Sequence, residues 1–338
     1  RTTKTMGVYM AESTSIEWAD HTFNPWTGCT KVSHGCDGCF AESWAKRSGT
    51  VRWGVGEPRR RTTNANWRLP PKWNAQAERE GRRFRVFCAS LADVFDNEVP
   101  QEWRDDLFRL IERTPRLDWL LLTKRVGNVA HQVWPRWMQQ GFPLNVWIGA
   151  TMVDQGEVDR DARKLLALPA PVHFISYEPA LGPIDVAPWL RPYCDAGSRP
   201  HPDGGGVTCS RCGGTGGCGG LSWVIAGGES GPRARPAHPE WFRSLRDQCM
   251  AADVPFLFKQ WGEWAEHDGH KPTRVFSMDT DVGETLASRC DGFISVAGEF
   301  VRDMDDATTD EPYRGMVRVG KKAAGRQLDG RTHDGFPR

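Results

Sequence analysis

From residue 84 onward the hydrophobic pattern repeats one unit: a short apolar run, polar residues at its end, then a stretch with helical spacing. The runs are Arg85-Val86-Phe87-Cys88, Trp119-Leu120-Leu121-Leu122, Val146-Trp147-Ile148-Gly149, Val172-His173-Phe174-Ile175, Trp223-Val224-Ile225-Ala226 and Pro255-Phe256-Leu257-Phe258. Apolar runs without alternation predict strands buried on both faces, as in parallel sheets. Between them, Gln101 to Arg113, Gln155 to Leu168 and Pro239 to Ala252 read as helices. Strand and helix in alternation predict parallel strands joined by right-handed crossovers. With a further strand at Ser15-Ile16-Glu17-Trp18, the expected fold is α/β, a complete or partial TIM-type (β/α) barrel over residues 15–264. A flexible N-terminus (1–14) and a small C-terminal extension (265–338) flank it.

Two stretches break the alternation. Residues 191–220, dominated by Gly, Pro and Ser, form a Cys-rich insertion between the Val172 and Trp223 runs. Residues 52–83 have no clear hydrophobic period and interleave basic groups with indoles: Arg52-Trp53, Arg59-Arg60-Arg61, Trp67-Arg68, Lys72-Trp73 and Arg82-Arg83. That mixture suits a phosphate backbone with stacked bases, or equally a solvated loop whose tryptophans pack on the barrel.

Composition narrows the class. In 338 residues, 39% are hydrophobic, enough for a sizeable core, and no apolar run approaches the roughly 18 residues of a membrane span. No secretory leader pattern is present, so the expected location is cytoplasmic. The formal net charge of +1 gives no global case for nucleic acid, so any such case is local. Seven of the ten cysteines fall in two tight groups, which in a reducing compartment read as metal ligands before disulfides. Cys88 and Cys249, inside a strand and a helix, read as core residues.

The first group, Cys29, Cys36 and Cys39, lies in a loop rich in Gly, Ser and Thr between the first strand and a helix-like Ala41 to Lys46. Three thiolates leave a metal position open, and soft donors suit an iron–sulfur cluster or zinc, the latter completed by His34 or a distant residue. The second group, Cys194, Cys209, Cys212 and Cys218, supplies the four thiols of a closed zinc knuckle, with an auxiliary cluster as the alternative. The ends of the predicted strands carry polar residues: Ser90 and Asp93, Thr123, Lys124 and Arg125, Thr151, Ser176 and Glu178, Glu229 and Ser230, Lys259 and Gln260. In barrels of this class such positions hold catalytic groups, although each alone also suits a helix cap or ion pair.

The cysteine loop resembles a variant of the radical S-adenosylmethionine (SAM) signature, with six residues between the first two cysteines and two before the third. The stretch Asn24 to Glu42 is also similar to a phage and bacterial family, DUF5131, that is radical-SAM-like. So are Ser90-Leu91-Ala92-Asp93-Val94-Phe95, Leu122-Thr123-Lys124-Arg125, Ser176-Tyr177-Glu178-Pro179, Gly227-Gly228-Glu229-Ser230-Gly231 and Phe258-Lys259-Gln260-Trp261-Gly262. The resemblance implies a radical SAM barrel in which Cys29, Cys36 and Cys39 ligate a [4Fe-4S] cluster whose open iron binds SAM. It also implies an external electron donor such as flavodoxin or ferredoxin, and host cytoplasm for a phage product. Gly227-Gly228-Glu229 resembles the element that holds the cofactor's amino group, but follows a late strand; Ser90, Asp93 and Thr123 occupy the place topology expects.

The expected activity is therefore radical chemistry, as isomerase, lyase or transferase, on a nucleobase or nucleotide, with phage DNA thymine modification as one form. Lys124, Arg125, Glu178 and Lys259 are the expected catalytic set. Ser90, Asp93, Thr123, Gly227, Gly228 and Glu229 are the expected cofactor-binding set. A flipped base would stack on Trp53, Trp67 and Trp73. The competing expectation is a zinc-dependent nucleic-acid-binding or adaptor protein without redox chemistry.

Overall fold

The computed structural model describes residue 14 and residues 16–190, 220–267, 290–309 and 311–337. In chain order its strands are β1 (His21–Thr22), β2 (Trp26–Thr27), β3 (Arg60–Arg61), β4 (Phe84–Cys88), β5 (Leu117–Thr123), β6 (Val146–Thr151), β7 (Val172–Tyr177), β8 (Trp223–Gly227), β9 (Phe256–Gln260), β10 (Trp264–Glu266), β11 (Gly292–Ser295), β12 (Phe300–Val301) and β13 (Tyr313–Arg318). The helices are α1 (Phe40–Ser48), α2 (Asn64–Trp67), α3 (Leu69–Glu80), α4 (Gln101–Glu112), α5 (Val126–Gln132), α6 (Pro135–Gln140), α7 (Gln155–Leu166), α8 (Pro239–Ala251) and α9 (Lys321–Ala324). None is long and apolar enough to cross a membrane.

A seven-stranded sheet has the order β1-β4-β5-β6-β7-β8-β9. The pairs β1–β4, β4–β5, β7–β8 and β8–β9 run parallel. The apolar runs become these strands because Trp119, Leu120, Leu121, Ile148, Phe174, Val224 and Leu257 are all fully buried. β1 and β9 stand at opposite ends of the order, so the described strands do not form the complete barrel that was one of two expected forms.

Compact units divide the chain as Arg1–Lys31, Ala41–Gly149 and Pro169–Pro171 on one side, and Val32–Phe40, Ala150–Leu168 and Val172–Arg338 on the other. In the first, where a strand was expected over Ser15 to Trp18, Ser15 lies outside the described residues and Ile16 to Ala19 form a turn, closed by the Ala19 N–H donating to the Ile16 carbonyl at 3.2 Å. Strand pairing starts later because Asp20 takes the Arg85 backbone N–H at 2.8 Å and brings His21 and Thr22 against Val86 and Phe87. The connection over 52–83, expected to lack regular structure, contains α3. Pro70 and Pro71 occupy its first turn, and Gly81, with φ of 64°, ends it. Trp73 on α3 is buried and stacks on His21 at 4.3 Å.

In the second unit the α7 N-terminus is capped by Asp154, which accepts from the Glu157 N–H at 2.9 Å. A four-stranded antiparallel sheet, β10-β13-β11-β12, begins at Trp264. Residues near the C-terminus then pair with β9: Asp334 bridges Leu257, and the Phe258 N–H donates to the His333 carbonyl at 3.0 Å. That contact covers an otherwise open sheet edge. Leu190 and Leu221 also form a bridge, with the Leu221 N–H donating to the Trp189 carbonyl at 2.8 Å.

His238 caps α8: its Nδ1 accepts from the Glu240 N–H at 3.1 Å, which leaves the ring proton on Nε2. The side chain is buried, and burial pushes its pKa down to about 4, with Glu240 opposing and Arg314 reinforcing. A His depressed in the folded state stabilises it fully above the unfolded value of 6.5, and that contribution is lost as pH falls towards 4. Urea denaturation across this pH range should therefore show stability falling with acidity. His238→Asn, which keeps an acceptor at the cap, should flatten that slope; an equally steep slope would remove His238 as its source.

Candidate functional site

In the first unit the site is built around Asp93, just beyond β4. Its buried carboxylate accepts from the Thr123 hydroxyl at 2.8 and 2.9 Å, the Phe95 N–H at 2.9 Å and the Lys124 N–H at 3.2 Å. The Arg125 guanidinium completes it at 3.2 Å. The same guanidinium donates to the Cys29 sulfur at 3.3 Å and to the Thr30 carbonyl at 2.6 Å. Four residues from the expected set, Asp93, Thr123, Arg125 and Cys29, thus form one network, with Lys124 joining through its backbone.

A second arginine supports that loop from below. The Arg59 side chain is wholly buried, pairs with Asp96 at 2.7 Å and donates to the Thr30 hydroxyl at 2.7 Å. Ser90 is part of the framework too: its hydroxyl accepts from the Asn24 amide at 3.0 Å, while the Asn24 carbonyl oxygen takes the Leu91 N–H at 2.7 Å. Burial pushes the Cys29 thiol up to about 12, with Asp93 adding to the rise and Arg125 opposing it. At neutral pH the sulfur of the metal-free chain is therefore a thiol, and its S–H donates to the Thr30 carbonyl at 3.5 Å.

In the second unit Cys36 and Cys39 flank a tight turn. Ser33 caps it by accepting the Gly35 N–H at 3.2 Å, and the Cys36 N–H donates to the Ser33 carbonyl at 2.9 Å. Glu229, just past β8, is buried and held by Arg235 through Nε at 2.8 Å, Nη2 at 2.8 Å and the backbone N–H at 2.9 Å. Elsewhere in this unit Glu178 pairs with Lys259 at 3.0 Å and accepts from the Ser176 hydroxyl at 3.2 Å. Gly228 is glycine for close approach, since a Cβ there would lie 1.9 Å from the Trp261 carbonyl oxygen. Gly227 sits beside Glu178 in the same way.

Cys36 is buried, Cys29 and Cys39 half-buried. In kind, these thiols suit an iron–sulfur cluster, whose ligands are thiolates released from their protons on binding. In position, no group of three or more His, Cys, Asp or Glu side chains among the described residues is placed to hold a metal ion. The expected zinc ligands Cys194, Cys209, Cys212 and Cys218 lie outside the described residues.

The basic and aromatic patch is largely consumed by the fold. Arg59 is buried, and Arg61 pairs with Asp106 at 2.7 Å while lying over Trp67 at 4.2 Å. Arg82 and Arg83 pair with Asp20 and Asp118. Trp73, expected as a stacking surface, is in the core, Trp67 is covered on one face, and Trp53 is half-buried. Arg52, Arg60, Arg68 and Lys72 remain exposed. Two residues with prominent roles had drawn no functional expectation: Asp96, whose partner is distant in sequence, and Arg235, in a Pro- and Arg-rich stretch without a recognisable motif.

Residues 13–337 match a family described as protein of unknown function (DUF5131). No curated protein matches the chain. Among solved structures, a spore photoproduct lyase complexed with dinucleoside spore photoproduct is similar at 13% identity and a TM-score of 0.38, covering 74% of this chain and 59% of that one. A variant spore photoproduct lyase with bound AdoMet and dinucleoside spore photoproduct is similar at 14% identity and a TM-score of 0.36, covering 72% and 57%. The chain thus spans somewhat over half the length of these two structures.

Removing Arg125 leaves the Asp93 carboxylate buried and short of its cation. Arg125→Met should destabilise the protein by roughly 3 kcal/mol, the scale for breaking a buried pair from one side. Arg125→Lys should lose less, and urea denaturation measures both; a loss within about 0.5 kcal/mol, the ordinary surface scale, would contradict the arrangement.

Proposed function

We propose that this chain, which belongs to the DUF5131 family, is a radical SAM enzyme acting on a nucleobase or nucleotide, with Cys29, Cys36 and Cys39 as ligands of a [4Fe-4S] cluster. The chief support is the hydrogen bond from Arg125 to the Cys29 sulfur, made by the guanidinium that also pairs with Asp93. It ties a candidate ligand to the ends of two parallel strands, where α/β enzymes gather their reacting groups. Such a cluster, with an external donor such as flavodoxin or ferredoxin, would supply the electron for cleavage of SAM.

In this proposal Arg125 orients the Cys29 sulfur and offsets negative charge built up by thiolates. Asp93 has its acceptor positions filled by protein donors, so its part is to fix Arg125 and Thr123. Lys124 enters no ion pair among the described residues, and its ammonium is the cation offered at this strand end to a carboxylate or phosphate. In the second unit, Glu178 and Lys259 set an acceptor beside a donor, the complement of the amide edge of a thymine-like base. Their side chains are 13% and 21% exposed, dry enough for those hydrogen bonds to discriminate between bases.

Anaerobic reconstitution with iron and sulfide, followed by electron paramagnetic resonance of the reduced protein with and without SAM, tests the proposal. The expected result is a cluster signal that SAM shifts and that Cys36→Ala abolishes. Colourless protein holding zinc, without SAM turnover, would point instead to a zinc-dependent nucleic-acid-binding or adaptor protein.

A further inference from the structure

We propose that Arg235 and Glu229 are positioning residues that fasten the turn bearing Cys36 and Cys39 before any metal arrives, with Gly38 as the seat. The proposal rests on Cys36 and Cys39 being cluster ligands. Arg235 reaches the turn directly: its Nη2 donates to the His34 carbonyl at 3.1 Å, and its Nη1 lies 3.6 Å from the Asp37 carboxylate. The same Nη2, together with Nε, grips Glu229 in a two-point, charge-assisted contact. Glu229 in turn meets the turn at Gly38, where a Cβ would fall 2.3 Å from its Oε1. The turn is held elsewhere as well, by His34 against Asp154 at 2.9 Å and by Gly35 against Val153.

Three hydrogens reach the Glu229 carboxylate from Arg235, out of roughly four acceptor sites on such a group. The glutamate of this Gly-Gly-Glu sequence is therefore engaged by protein, and its carboxylate is spent on geometry rather than on a ligand's ammonium. With the Arg235 side chain 36% exposed, the pair contributes little net stability, but its two-point geometry defines one arrangement. Lysine would keep the charge and lose the planar fork that spans Glu229 and His34.

The test uses the full metal-free chain. The rate at which a maleimide labels Cys36 and Cys39 is read by peptide mass spectrometry, together with amide exchange over residues 34–39, with Cys29 as internal control. Arg235→Met should speed both by roughly tenfold, the scale of one lost charge-assisted hydrogen bond, and leave Cys29 unchanged. Arg235→Lys and Glu229→Gln, which spare the fold, should fall between. Gly38→Ala should speed labelling in the natural background and have no effect once Glu229→Ala has removed the obstructing oxygen.

Labelling unmoved by Arg235→Lys and Arg235→Met, or a Gly38→Ala effect equal in both backgrounds, would overturn the fastening. Iron content after reconstitution separates the two ideas. Faster labelling together with slower iron uptake in Arg235→Met supports both. Faster labelling in a protein whose natural form takes up no iron upholds the fastening and overturns the cluster assignment.

Discussion

The charge on Asp93 sets the terms for everything around it. A carboxylate buried at a strand end is tolerated only when donors surround it, and Phe95 together with the consecutive Thr123, Lys124 and Arg125 supply them from two segments of chain. Arg125 must therefore point inward, and once there its remaining hydrogens hold the Cys29 sulfur and the Thr30 carbonyl. The position of Cys29 is thus a by-product of neutralising a carboxylate more than sixty residues away in sequence. Arg59 repeats the device one layer further from the sulfur, matched to Asp96.

The strands were legible because burial on both faces leaves an uninterrupted apolar run, and a run as short as Trp119 to Leu122 suits a strand better than a helix. Three helices were legible from their period and end within two residues of expectation. The start of the sheet was not, because His21 and Thr22 form a strand through pairing with β4 rather than through their own pattern. Helix α3 was not legible because residues 52–83 show no clear hydrophobic period; in the fold, Pro70 and Pro71 serve in its first turn. At the site, Asp93, Thr123 and Arg125 were visible as polar residues closing apolar runs. Arg235 was not, since its importance comes from reaching Glu229 and His34 at once, a relation that exists only after folding.

The arginines of residues 52–83 show how little a basic run reveals about partners. Each guanidinium in such a run carries a charge that is cheapest to keep beside a carboxylate, and the fold provides one for Arg59, Arg61, Arg82 and Arg83. With near balance between Lys plus Arg and Asp plus Glu across the chain, internal pairing is the ordinary fate of a cation here. Any affinity for polyanions falls to the few cations left over, which makes it modest and sensitive to salt.

The bridge between Leu190 and Leu221 gives the stretch between them a particular standing. Leu190 and Leu221 lie side by side in the second unit although thirty-one positions apart in the sequence. The entropy of closing a loop rises only slowly with its length. The Leu190–Leu221 bridge fixes that closure independently of the pairing between β7 and β8. The bridge thus stands two residues ahead of the start of β8 at Trp223, so the strand is anchored before its first residue.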